Sequence, residues 1–174
     1  MPVVVRRLEP VDVTAYKGVR LAGLQDAPFA FGSSWEEESV QPDSFFLARI
    51  DLPLPAAVFG AFADDTLVGT ARFTVEAGLR RRHVGWMTGV AVLPAFRRKG
   101  IATALVRHVV EHARGTCLVL RTAVAVANPA AHAIYVRAGF VPYGTEPRAL
   151  FADGAYFDEV LLSLDVDSLP PRSA

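Results

Sequence analysis

The stretch Val92-Leu93-Pro94-Ala95-Phe96-Arg97-Arg98-Lys99-Gly100-Ile101-Ala102 has the parts of an anion seat. A proline stops a strand, three cations follow, and a glycine opens a helix. The first amides of a helix have no intrahelical acceptor, and the helix dipole adds partial positive charge there. Glycine has no Cβ, so a phosphate can come close to that backbone. The stretch therefore reads as a seat for the pyrophosphate of a nucleotide-tailed ligand. It is not a P-loop, because Lys99 precedes a lone glycine where that motif needs G-x-x-x-x-G-K before Ser or Thr. It also lacks the three glycines of a dinucleotide fingerprint.

A second constellation follows. Asn128, Ala131, Tyr135, Gly139 and Phe140 stand at offsets of 0, 3, 7, 11 and 12. Asn128 before Pro129 is a helix start, and Gly139 is a helix-closing glycine. The spacing places Asn128, Ala131 and Tyr135 on one helical face. A phenol with a pKa of about 10 can give a proton to a stronger base formed in a reaction. The plainer reading of Tyr135 is a core aromatic whose hydroxyl finds a backbone partner. Other polar residues point away from chemistry. His108 and His112, at i and i+4, have no evident third metal ligand and read as exposed helix residues. Cys117 reads as core within an apolar strand. Arg80-Arg81-Arg82 lies about 33 Å along the strand from Val92, at the far sheet end, and reads as a solvated turn.

These residues need a frame. A β-branched first strand covers residues 3–8, and helical spacing covers 12–24. Residues 28–55, rich in proline, hold one or two short helices. Strands at 56–63 and 67–75 flank the Asp64-Asp65 turn as a hairpin. A strand over 83–92 leads to the clearest helix, 98–114, where Ile101, Leu105, Val109 and Ala113 recur. The near-continuous apolar run 117–126 predicts a buried parallel strand. A helix from Asn128 to Gly139 follows, then a strand from Phe140. The Asp153-Gly154 turn leads to a last strand over 156–164, an edge that could pair between subunits of a homodimer; a monomer is the alternative. This order predicts a mixed sheet with helices on both faces, parallel where the 98–114 helix crosses over.

Composition limits the possibilities. Apolar residues make up 52% of 174, enough for the core of a single domain over residues 1–166, with a flexible tail over 167–174. Eighteen basic and eighteen acidic residues balance. That balance argues against nucleic acid or an anionic membrane as partner. No apolar run is long enough for a membrane span, the start lacks a signal-peptide pattern, and the single Cys117 suits a reducing cytoplasm.

Both constellations, in this order, resemble the GNAT superfamily of N-acetyltransferases, from about Val84 to Phe140 by motif and over most of the chain by element order. The segment Gly144-Thr145-Glu146-Pro147-Arg148-Ala149-Leu150, with Asp153-Gly154 and Asp158-Glu159, resembles a bacterial subset of that family. The resemblance implies an α/β fold with a mostly antiparallel, twisted sheet of about seven strands. It implies acetyl-CoA as co-substrate, with no metal, and a primary amine of a small molecule, peptide or protein as acceptor. It places the ligand against Val90, Ala91 and Val92 of the splayed strand. It adds the loop and helix start Arg97, Arg98, Lys99, Gly100, Ile101, Ala102 and Thr103. Asn128, Ala131, Tyr135 and Arg137 complete the set, and Tyr135 becomes the general acid. A non-catalytic acyl-CoA sensor is the rival reading.

The base is the gap. An amine of pKa about 10.4 is about one part in 2,500 free at pH 7, a cost of about 4.6 kcal/mol. Many relatives carry a glutamate on the splayed strand, but no Asp or Glu lies between Gly78 and Lys99. Glu36, Glu37 and Glu38 are the candidates, although Ser33-x-x-Glu36 and Ser34-x-x-Glu37 both have the form of capping boxes. His83 is a further possibility, read more simply as solvated. Residues 25–55 and the last hairpin are expected to shape the acceptor pocket, with Phe29, Phe31, Trp35, Phe45 and Phe46 supplying rings.

Overall fold

The computed structural model describes residues 2–169. Seven strands form one sheet in the order β1-β2-β3-β4-β5-β7-β6. They are β1 (Val3–Arg7), β2 (Ala57–Ala63), β3 (Thr66–Val75), β4 (Val84–Val92), β5 (Val119–Ala125), β6 (Val141–Ala152) and β7 (Ala155–Asp165). The helices are α1 (Val13–Asp26), α2 (Trp35–Ser39), α3 (Asp43–Ile50), α4 (Ile101–Ala113) and α5 (Pro129–Arg137). Every pairing is antiparallel except β4 with β5, the pair joined by the α4 crossover. The expected α/β sheet is therefore present. No helix among the described residues is long and apolar enough to cross a membrane.

Side-chain alternation along each strand divides the interior in two. On β2, Ala57, Phe59, Ala61 and Ala63 face the core built with α4, while Val58 faces the core built with α1 and α3. Leu105, Val106 and Val109 of α4 fill the first core. Tyr16, Val19, Phe46 and Ile50 fill the second. The hairpin turn behaves as read: Asp64 and Asp65 both take positive φ, as a tight two-residue connection requires.

Some boundaries differ from the sequence reading. Helix α4 starts at Ile101 because Arg98 and Gly100 have φ of 60° and 78°, which no right-handed helix continues. Strand β5 starts at Val119, since Cys117 still bonds back to the end of α4, its amide donating to the Ala113 carbonyl at 3.1 Å. β7 is not an edge strand. It lies between β5 and β6, so the edges are β1 and β6. His108 and His112 are half-buried, because both stack edge-on against Phe59 at 4.7 and 5.0 Å. The beginning of the expected tail is held in place. Ser168 Oγ donates to the Asp165 carbonyl at 2.8 Å, and Leu169 packs on the α4 core. The rest of that tail lies outside the described residues.

Charge ties α1, α2 and α3 together. Glu38 is only 2% exposed, and it accepts two hydrogen bonds from Arg20 and pairs with Arg49 at 3.1 Å. Burial alone would raise its pKa. The Arg20 hydrogen bonds, the Arg20 and Arg49 charges and the Ser33 hydroxyl outweigh burial and hold it below the ordinary value. A depressed carboxylate stabilises the fold above its unfolded pKa, and that contribution is lost as pH falls through the folded one. Glu38→Gln is expected to cost about 3 kcal/mol in urea denaturation at pH 7, because it leaves two arginines facing each other. It should also flatten the loss of stability below about pH 4. Equal stability of the two proteins at pH 7 would refute this account.

Gly69 sets how closely β3 and β4 approach. A Cβ there would sit 2.8 Å from the Ala91 carbonyl oxygen and 3.1 Å from Val92. Gly69→Ala must therefore move β4 itself. The expected cost is about 1–3 kcal/mol, a drop of several degrees in a melting experiment.

Candidate functional site

The site begins where β4 and β5 part. Their parallel register has three pairs, Val84 with Val119, Gly85 with Leu120 and Trp86 with Arg121. Beyond Trp86, β4 continues to Val92 along β3 alone. β5 continues along β7 to Ala125. A bulge increases the divergence: Arg72 opposes Thr88 and Thr70 opposes Ala91, so Gly89 and Val90 together face Ala71. Gly89 takes φ of 62°, the left-handed form that such a bulge favours, and its carbonyl accepts from Thr70 Oγ1 at 3.3 Å. The gap opens a cavity of about 1020 Å³ that reaches both faces of the sheet.

One end of the cavity is the start of α4. Gly100, Ile101, Ala102 and Thr103 line it. The amides of the three residues after Gly100 have no intrahelical acceptor, as at any helix start. A Cβ built on Gly100 would meet nothing within 4 Å, so the approach to those amides is open. This bare backbone, with the guanidinium of Arg98 at its side, fits a diphosphate. The three cations divide. Arg97 and Arg98 line the cavity, whereas Lys99 does not. Lys99 lies back over the Phe96 ring at 5.1 Å, with Nζ donating to the Ala95 carbonyl at 3.3 Å. Arg97 is fixed by an ion pair with Asp26 at the end of α1 and by its Nε donating to the Val92 carbonyl at 3.1 Å.

The opposite wall comes from α5. Asn128 Oδ1 accepts from the Ala131 amide at 3.1 Å, the helix cap its position predicts. Ala131, Tyr135 and Arg137 line the cavity with Asn128, as do Val90, Ala91 and Val92 across the gap. Tyr135 is 6% exposed and also part of the α4 core. Burial pushes its phenol up to about 12, partly offset by a hydrogen bond with the Thr122 side chain. Its partner is thus a side chain of β5, not the backbone.

The expected bases are elsewhere. Glu37 is consumed by the α2 cap: its carboxylate accepts from the Ser34 amide at 3.0 Å, and Ser34 Oγ accepts from the Glu37 amide at 3.2 Å. Glu36 is exposed, outside the cavity, and Ser33 forms no box with it, because the helix cap is Ser34. Glu38 is buried in its arginine pairs, and His83 is exposed away from the cavity. The carboxylate that does line the cavity free of an ion pair is Glu159 of β7. It stands in register with Ala125 on one side and Glu146 on the other. Burial raises its pKa, and the Glu146 charge raises it further. Like charges opposed across strands destabilise a sheet. Strand parity put Glu159 on the same face as Phe157, a cue available in the sequence. Phe157 packs on Phe29 at 5.6 Å. Of the expected pocket rings, Phe29 and Phe31 line the cavity, and Phe46 is instead core.

Among the described residues, no group of three or more His, Cys, Asp or Glu is placed to hold a metal ion. Known proteins share the fold. An acetyltransferase from Streptococcus pneumoniae superposes with a TM-score of 0.78 at 21% identity, covering 93% of this chain and 98% of that one. A Salmonella typhimurium protein described as an acetyltransferase, solved with its cofactor acetyl-CoA, gives 0.80 at 18% identity, with 99% and 98% covered. By sequence, an aminoglycoside N(6')-acetyltransferase type 1 from Acinetobacter haemolyticus is 35% identical over 75 residues, 42% of this chain and 52% of that protein. That match spans about half the length of the curated relative. The profile of the Acetyltransferase (GNAT) family covers residues 22–140, from α1 through the helix–glycine end of α5, and the chain belongs to that family.

Proposed function

We propose that the protein transfers an acetyl group from acetyl-CoA to a primary amine by direct attack, with both partners bound in the cavity between β4 and β5. The observation that carries this reading is the parting of those strands, with an open helix start at one end and a proton-holding phenol in the wall. Acetyl-CoA, when bound, supplies the acetyl group as a thioester whose departing sulfur requires a proton. The amides that open α4 and the side chain of Arg98 would hold its diphosphate. The free edge of β4 at Val90, Ala91 and Val92 would hold the chain between diphosphate and thioester.

Tyr135 is the general acid. Its raised pKa keeps the proton on the phenol at any working pH, and only a strong base formed late in the reaction can take it. Glu159 replaces Glu36 and Glu37 as the general base. Burial and the Glu146 charge raise its pKa, and a carboxylate with a raised pKa is a better proton acceptor for an amine than an ordinary one. A sensor that only binds acyl-CoA has no use for either group, and the pair favours catalysis.

Free-thiol release from purified protein, acetyl-CoA and an amine panel tests the reading. Tyr135→Phe is expected to lower kcat and kcat/KM together by about 10²-fold, with CoA affinity by calorimetry unchanged. Unchanged turnover would remove Tyr135 from the chemistry. The pH profile tests Glu159. Activity should fall as pH drops through a pKa above the usual carboxylate range, because protonation removes the base. Glu159→Gln should erase that limb and leave the Tyr135 effect in place. Glu146 stands opposite Glu159 on β6, and its charge raises the Glu159 pKa. Glu146→Gln should therefore shift the same limb to lower pH. A limb that persists in Glu159→Gln would assign the base to another group.

A further inference from the structure

Three arginines line the cavity on the α1–α3 face of the sheet: Arg20 from α1, Arg49 from α3 and Arg72 from β3. One carboxylate answers them, Glu38, and both of its ion pairs go to Arg20 and Arg49. Among the described residues Arg72 has no carboxylate partner, and its Nε is buried without a hydrogen-bond acceptor. Three positive charges against one negative leave a surplus of two. Burial, and then the charges of Arg49 and Arg20, push the Arg72 guanidinium down from its ordinary value, opposed by the Tyr16 hydroxyl. An unpaired cation in such a place is costly, and an incoming anion relieves the cost.

This is not the diphosphate seat. Arg72 is in register with Thr88, four residues before Val92, which is about 13 Å along β4. The rings around it are of another kind from the bare backbone of α4. Arg20 stacks over Phe31 at 5.1 Å, and Phe29 and Trp86 line the same space. Glu159 shares this face through Phe157, which packs on Phe29.

We infer that the acceptor is a small amine that also carries an anionic group, a carboxylate or a phosphonate, bound by Arg72 with Arg20 and Arg49. The inference rests on the acetyl-transfer reading. A guanidinium fork donates to two oxygens of one carboxylate or phosphonate at once, which a lysine cannot do. With Glu159 at the other side, the cavity carries a positive pole and a negative pole. An amino acid or aminophosphonate carries the opposite pair.

The test uses amine pairs that differ only in the anionic group: phenylalanine against phenethylamine, and 2-aminoethylphosphonate against ethylamine. Each is titrated into the protein by calorimetry, with and without CoA, and assayed for thiol release with acetyl-CoA. The anionic member is expected to bind and react about 10- to 100-fold better. Arg72→Met should abolish the difference, Arg72→Lys should restore part of it, and CoA affinity should stay constant in both. Equal binding of the two members, preference for the amine without the anionic group or for a polycation such as kanamycin, or a preference that survives Arg72→Met overturns the inference. Those outcomes leave acetyl transfer standing. Absence of CoA binding or of thiol release from every amine fails the acetyl-transfer reading instead, and the calorimetric comparison still decides the anion site.

Discussion

Parallel pairing between β4 and β5 stops after Trp86 and Arg121, and the position of the cavity follows from that. A sheet that stayed paired would be a wall. Here the wall has a slot, because the bulge at Gly89 and Val90 turns β4 while β5 remains bound to β7. Two consequences are chemical. The β5-facing edge of β4 is left with backbone groups that a ligand can pair with, the same way a strand would. The slot also joins the two faces of the sheet, so a ligand held at the α4 start can meet one held among α1, α3 and β3 without either crossing the core.

Electrostatics then distinguishes the two ends. The chain as a whole is neutral, yet its cavity is not uniform. The α4 start offers dipoles and Arg98. The α1–α3 face offers guanidinium groups in excess of carboxylates, and Glu159 offers a carboxylate beside another carboxylate. Each of these local imbalances costs stability in the empty protein, and each is relieved by a ligand group of opposite sign. The Tyr135 phenol, pushed up to about 12, keeps its proton near neutrality.

The frame and the α4 end of the cavity were readable from sequence because they depend on local rules. Asn128 before Pro129, Gly100 after a basic turn and the four-residue apolar repeat of α4 each specify a helix without reference to the rest of the chain. The α1–α3 end depends on register and parity between distant strands, and those are weaker signals. Glu36 and Glu37 attracted notice as a cluster, but the same cluster satisfied a cap. Glu159 stood in a strand whose inward face was not known until β7 was placed between β5 and β6. Arg72 was visible as one cation in the apolar run of β3, and only the arrival of Arg20 and Arg49 from two helices gave it meaning.

Helix α1 links the two ends mechanically. Arg20, Gly23 and Asp26 recur at three-residue intervals and so follow one side of the helix. Arg20 holds Glu38 in the arginine cluster, and Asp26 holds Arg97 in the loop before α4. Between them, a Cβ on Gly23 would lie 3.3 Å from the Cβ of Ala91, so the helix rests directly on the free part of β4. A rigid element that touches the arginine cluster, the strand edge and the loop before α4 cannot move at one contact alone. The width of the slot, the direction of β4 and the position of the cations at either end are therefore set together, and the charge pairs of α1 fix the geometry that the parting of the strands makes possible.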